Sequence, residues 1–230
     1  MKKSLTVILA FCLTLTFSFC FNLTLNKVKY VESKKQFQKP TVVLDAGHGG
    51  KDCGTVSSSG TLEKDINLAI VNKLYDFLCF SGIKTVRIRS EDTEYYPPKS
   101  NKNKSDLYNR LDFVNGIENS VLVSVHQNHY EDESQWGMQV WYTANEKSSK
   151  ILADNILNST KSLIQPDNQR ENKVSDSSYY ILYKATVPSV MVECGFMSNT
   201  EENLKLQDSG YQNILSYSIM LGIEKYLSEN

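Results

Sequence analysis

The chain has 230 residues, 40% of them hydrophobic, and a formal net charge of −1. This is enough for one domain with a sizeable core once an N-terminal export segment is set aside, and two domains would be cramped. The near-neutral balance excludes a protein drawn by its field to nucleic acid or to an anionic membrane surface, and five cysteines without C-x-x-C spacing do not indicate a disulfide framework.

Met1 to Phe21 reads as a targeting segment. Lys2 and Lys3 precede an uncharged, mostly apolar run of 17 residues, Leu5 to Phe21. A spanning helix needs at least about 17 such residues, so a cleaved signal peptide and a retained membrane anchor both fit. Residues 1–24 are assigned to export, 25–39 to a linker and 40–230 to the folded domain. The protein is expected outside the cytoplasmic membrane, secreted or anchored, touching a membrane only through that segment.

Val42 to Leu44 reads as a short buried strand that runs into Gly47, Gly49 and Gly50. These glycines are expected to turn the backbone through positive φ and to leave His48 at the carboxyl end of a strand, where open α/β sheets place their ligands. A helix capped by Thr61 follows, with Glu63 in its first turn and Leu62, Ile66, Ala69, Ile70, Leu74, Phe77 and Leu78 at helical spacing. Gly82 ends it, and Ile83 to Ile88 forms a second strand. Residues 90–104 are charged, carry Pro97-Pro98 and read as a surface loop. Asp106 to Val114 is an amphipathic helix. Val121 to Val125 is a buried strand ending on His126, and Gly137 to Tyr142 is another strand. Lys147 to Ile164 is helical, 166–178 is a polar loop, and Tyr179 to Lys184 is a short helix. Val187 to Val192 is the last strand, ending on Glu193, and Leu204 to Tyr226 closes the chain as one helix. Short buried strands alternating with amphipathic helices predict a single α/β domain. Its core is a twisted, mostly parallel sheet of about six strands with helices on both faces.

Three strands thus end on a metal-capable or acidic residue. His48, Glu63 and His126 supply two imidazoles and one carboxylate, a donor set suited to catalytic Zn²⁺ with one position left open. Glu193, at the end of an apolar strand, is suited to proton transfer, with burial raising its pKa. Each residue alone also fits a plainer role. His48 is equally a turn histidine, Glu63 a first-turn acid facing the helix dipole, His126 a satisfied core histidine and Glu193 a partner for a lysine. His129 is a competing ligand in the loop beyond its strand, and Cys53 or Cys194 could offer a thiolate. No phosphate loop is present, because G-x-x-x-x-G-K-[ST] is absent and Asp52 stands where G-x-G-x-x-G needs its last glycine.

The motifs V-V-L-D-A-G-H-G-G (42–50), G-T-L-E-K-D-I-N-L (60–68), T-V-R-I-R-S (85–90), L-Y-N-R-L-D-F-V-N (107–115), V-S-V-H-Q-N (123–128) and P-S-V-M-V-E-C-G-F-M-S-N (188–199) together make the chain resemble the zinc-dependent N-acetylmuramoyl-L-alanine amidases, amidase type 3. The resemblance implies that His48, Glu63 and His126 hold Zn²⁺ and that Glu193 is the catalytic acid and base. The substrate it implies is the amide between N-acetylmuramic acid and L-alanine of the stem peptide in peptidoglycan. It further implies substrate contacts at Asn128 and Arg170, although Arg170 and Lys173 equally fit solvated cations. Gln127 and His129 stand where many members carry small residues. A compact catalytic domain without wall-binding repeats is most similar to the spore-cortex type, which prepares muramic-δ-lactam formation. That type would act between the forespore and mother-cell membranes, and an activating partner protein is expected. Two other readings remain open: a zinc peptidase that cuts within the stem, and a wall-binding module without activity.

Overall fold

The computed structural model describes residues 16–18, 20–22, 39–96 and 105–229. The expected export segment and linker lie mostly outside these residues, and Pro97-Pro98 lies wholly outside them. Residues 16–18 and 20–22 are helical, and among the described residues no helix is long and apolar enough to cross a membrane. Met1–Lys39 and Pro40–Asn230 are separate units, and the sheet and its helices belong to the second.

The sheet has six strands: β1 (Thr41–Ala46), β2 (Thr85–Arg87), β3 (Ser120–Asn128), β4 (Gln139–Tyr142), β5 (Lys173–Val174) and β6 (Ser189–Phe196). The order is β2-β1-β3-β6-β4-β5. Every pair is parallel except β4 with β6. β1, β3 and β6 are therefore neighbours at the centre of the sheet, and all three point the same way.

Side chains alternate across this sheet, and each face finds its own cover. Val42, Leu44, Val121, Val123, Val190 and Val192 face one way. They pack against α1 (Glu63–Phe80), α3 (Ser148–Leu163) and α6 (Ser209–Glu229) through Ile70, Leu74, Leu152, Ile156, Leu215 and Ile219. Val43 and Leu122 face the other way, against Val114 of α2 (Asp106–Asn115) and Ile181 of α4 (Tyr180–Lys184). Gly222 lets α6 lie close on α3, since a β-carbon there would sit 2.5 Å from Cα of Ile156.

The structure departs from the sequence reading in five places. Leu62 occupies the N-cap of α1, and no side chain caps it; Thr61 instead lies in a hydroxyl cluster, its Oγ1 3.1 Å from Oγ of Ser59. β3 and β6 run on past His126 and Glu193, because Asn128 and Phe196 continue the pairing across a bulge. The closing helix is two helices, α5 (Thr200–Gln207) and α6, parted at the extended Asp208, whose Oδ1 accepts from Tyr211 N and starts the second. The polar loop 166–178 contains β5, an edge strand of only two residues, too short to show a period. Finally, Gly47 does not turn through positive φ. Gly49, Gly50 and His48 itself do.

Candidate metal centre

The carboxyl ends of β1 and β3 and the first turn of α1 meet in one cleft of about 790 Å³. His48 follows β1 by two residues, with φ +61°, a left-handed conformation unusual for a non-glycine residue. Two buried guanidiniums hold this turn. Arg89 donates through Nε to the Ala46 carbonyl and through Nη2 to that of Gly47. Arg110 donates through Nη2 to the His48 carbonyl at 2.6 Å and through Nη1 to Asp45 Oδ1 at 2.7 Å. Asp45 Oδ2 in turn accepts from Ser124 Oγ on β3. One hydrogen-bonded chain thus ties β3, which bears His126, to β1 and to the turn after it that bears His48. Burial would raise the pKa of Asp45, but the Arg110 charge, the His126 imidazole and the hydrogen bonds from Ser124 and Arg110 together outweigh it and hold the carboxyl below its ordinary value.

Glu63 sits between the two histidines. Its Oε2 is 3.3 Å from Nε2 of His48, and its Oε1 is 3.0 Å from Nδ1 of His126. Ligand-capable atoms of His48, Glu63 and His126 all lie within 4.8 Å of one another. Glu63 is only 3% exposed and is itself fixed. Thr55 N donates to Oε2, while Gln127 N and Asn67 Nδ2 reach Oε1. Burial opposes its charge, but the two imidazoles outweigh burial and drive its pKa far below the usual carboxylate range. For His48, burial opposes protonation as well; hydrogen bonds to Glu63 and Asp52 prevail and raise its pKa to about 9.

Glu193 is the register partner of His126 across β3 and β6. It is 8% exposed and lines the same cleft. Its Oε2 is buried, and no described residue hydrogen-bonds to it. Burial raises its pKa, and the nearby Glu63 adds to this; His126 and His48 pull the other way, leaving it at about 7. This group can hold or release a proton near neutrality. The backbone beyond it is pinned by Glu202, which accepts from Phe196 N and Gly137 N.

The other candidates are placed less centrally. Asn128 and His129 line the cleft. Arg170 lies outside it: the guanidinium is held by the Trp136 carbonyl and Gln135 Oε1 and stacks 4.3 Å over the Phe196 ring. Lys173 lies over the Trp141 ring. Gln127 turns inward and donates to Asn67. Neither Cys53 nor Cys194 joins the cluster. The first donates to the Gly54 carbonyl, and burial pushes the thiol pKa of the second far up. Sequence reasoning missed Asp52, Asn67, Arg89 and Arg110 as supports. Asn67, one helical turn after Glu63, and Asp52, four residues after His48, are near in sequence; Arg89 and Arg110 are joined to the site only by the fold.

Residues 42–225 match the N-acetylmuramoyl-L-alanine amidase family. The chain belongs to this family. It is 29% identical to the germination-specific N-acetylmuramoyl-L-alanine amidase of Bacillus subtilis over 231 residues, 94% of each chain. Among solved structures, the CwlD amidase of Clostridioides difficile, determined in complex with the GerS lipoprotein, aligns with a TM-score of 0.77. Identity is 37%, over 83% of this chain and 100% of that one. Amidase AmiC2 of Nostoc punctiforme aligns with a TM-score of 0.72 and 30% identity, over 83% and 98%. The protein is therefore a metal-dependent hydrolase of the bacterial cell wall. Its twisted α/β sheet is that of the family, and peptidoglycan is its substrate.

Proposed function

We propose that His48, Glu63 and His126 hold Zn²⁺ and that Glu193 is the acid and base that cleaves the amide between N-acetylmuramic acid and L-alanine. The observation that supports this most is the convergence of two imidazoles and a buried carboxylate beside a buried carboxyl with one unpartnered oxygen. Two nitrogens and one oxygen are a donor set that suits Zn²⁺ in a catalytic site, where three protein ligands leave a position open. When bound, the ion supplies Lewis acidity that polarises the lactyl carbonyl.

The chain's own residues do the rest. Glu193 takes a proton from the attacking water as the water oxygen bonds to the lactyl carbon. It then returns that proton to the alanine nitrogen as the C–N bond breaks. A lactyl carboxylic acid and an alanine amine leave, and the acid's remaining proton passes to the amine at neutral pH. A carboxyl with a pKa of about 7 is suited to both halves of this cycle. Asn128, which lines the cleft, contacts the substrate. Arg170, committed to Trp136 and Phe196, acts by shaping the loop beside Phe196.

The biological setting we infer is spore-cortex maturation, in which stem removal precedes muramic-δ-lactam formation. The likeness to the germination-specific relative and to CwlD supports it. Residues 1–24 export the chain, and the enzyme acts between the forespore and mother-cell membranes. The GerS complex of CwlD supports an accessory lipoprotein as partner.

Digestion of purified peptidoglycan with the zinc-loaded enzyme, read by mass spectrometry, tests the activity. New free amines on alanine are expected, whereas cleavage between two amino acids of the stem would make it a peptidase. Glu193→Ala is expected to stop release while zinc stays bound; full activity in that variant would remove Glu193 from the chemistry.

A further inference from the structure

We propose that Asp52 is a positioning residue of the metal centre, which accepts a hydrogen bond from Nδ1–H of His48 and so aims Nε2 at the ion. The inference rests on the assignment of His48 as a ligand. The two ring nitrogens of His48 have separate partners: Nδ1 is 2.7 Å from Asp52 Oδ2, while Nε2 faces Glu63 Oε2 at 3.3 Å. A proton held on Nδ1 leaves the Nε2 lone pair free for a cation.

Asp52 is 61% exposed, yet it is not a loose surface acid. Gly49 N donates to the Asp52 carbonyl at 2.9 Å, and Asp52 N donates to the Gly49 carbonyl at 3.1 Å. This pair of bonds closes a tight turn directly after His48. The second carboxylate oxygen of Asp52 accepts from Gly54 N at 3.0 Å. Gly49 and Gly54 have φ of +137° and +64°, so glycine is what permits the turn at both ends. A β-carbon on Gly54 would press on Glu63 Oε2 and His48 Cδ2, both at 2.6 Å. The turn is packed against the very groups it serves.

His48 needs such a support and His126 does not. His126 lies within β3, where the strand directs its side chain and the Gly47 backbone abuts its ring. His48 lies past the end of β1 in left-handed backbone. Arg110 fixes its carbonyl, but only Asp52, among the described residues, bonds Nδ1. Carboxylates in this relation to a ligating histidine typically contribute about 10–100-fold to metal affinity.

The test compares wild type, Asp52→Ala, Asp52→Asn, Asp52→Glu and His48→Ala as full chains. Zinc dissociation constants are measured by competition with a chelating dye, and each metal-free protein is melted. Imidazole NMR of the zinc-loaded samples reports the Nδ1 proton of His48. Asp52→Ala is expected to weaken zinc about 10–100-fold and to expose that proton to rapid exchange, a loss larger than any fall in the metal-free melting temperature accounts for. Asp52→Glu is expected to recover part of the affinity, and Asp52→Asn, which keeps the shape of the turn, to lose it. If His48→Ala loses zinc while Asp52→Ala and Asp52→Asn bind like wild type, the positioning role is wrong and the ligand assignment stands. Unchanged affinity in His48→Ala overturns both. An affinity loss that merely tracks a lowered metal-free melting temperature makes Asp52 a fold residue and overturns the proposal.

Discussion

Gly47 and His126 lie so close that no β-carbon fits between them. A methyl group on Gly47 would overlap Nε2, Cε1 and Nδ1 of the imidazole. The reason for glycine here is approach, since Gly47 is not among the positive-φ glycines. Gly47 N also donates to the Val125 carbonyl, so the backbone has nowhere to retreat. Gly47→Ala should displace the His126 ring at an overpacking cost of about 1–3 kcal/mol and should purify with little zinc. Gly82→Ala is the control: φ is +72° there, with nothing within 4 Å of the added methyl. It should destabilise the fold yet keep its metal. Zinc per chain by elemental analysis, alongside thermal melts, separates the two variants.

Burial of Glu193 makes the stability of the metal-free protein depend on pH. Its folded pKa of about 7 stands above the ordinary 4.5, so the fold binds this proton more tightly than the unfolded chain does. The stabilisation is fully present below pH 4.5 and is lost as pH rises through 7. Glu193→Gln keeps the neutral shape and removes the titration. Relative to wild type, the variant should therefore gain stability between pH 5 and pH 8, by no more than about 3 kcal/mol at about 1.4 kcal/mol per unit. Urea denaturation of both metal-free proteins across that range reads the difference directly. A difference that stays flat with pH would mean that Glu193 titrates like a surface acid.

The parts of this molecule legible in its sequence were those with a period or a punctuation mark. The apolar runs at Val42–Leu44 and Val121–Val125 announced central strands because buried parallel strands tolerate little else. The residues that converge, His48, Glu63 and His126, were legible as candidates, since they sit after a strand, in a first helical turn and at the end of an apolar run, although β3 continues two residues beyond His126. What stayed hidden was held by long-range bonds. Arg110 reads as one more charged residue on an amphipathic helix, but it is 2% exposed and reaches Asp45 and His48 across more than sixty positions of sequence. Arg170 fits either a substrate contact or a solvated cation in the sequence, and neither reading contains the contacts its guanidinium makes with Trp136, Gln135 and Phe196. β5 escaped because two residues carry no period at all.

Arg110 gives a prediction in which stability and metal binding separate. Its guanidinium is paired with Asp45, which is 1% exposed, and with Asp106 at 2.8 Å. Arg110→Met leaves the Asp45 charge buried without its partner and should cost about 3–5 kcal/mol. Adding Asp45→Asn neutralises that charge and should restore a good part of the loss. Neither variant restores the donor to the His48 carbonyl, so zinc should bind weakly in both. Urea melts and zinc titrations on the single and double variants check this, and a double variant that regains full zinc affinity would assign Arg110 to folding alone.

Metal removal provides the remaining test. The core of β1, β3 and β6 against α1, α3 and α6 does not pass through the metal cluster. Chelation should therefore abolish hydrolysis while the circular dichroism spectrum persists. Zinc binds the folded chain through residues that come together only on folding, so it should stabilise by mass action, about 2.7 kcal/mol at a free concentration one hundred times the dissociation constant. In a domain of this size each kcal/mol moves the melting temperature by roughly 2–4 °C, so the expected rise is about 5–10 °C. Glu63→Gln keeps the side-chain shape but loses the charge that both imidazoles face at 3.0 and 3.3 Å. Its melting temperature should barely respond to zinc. An equal rise in Glu63→Gln would place the bound ion elsewhere on the chain, and Glu63 would then be a structural acid that anchors Thr55 and Gln127.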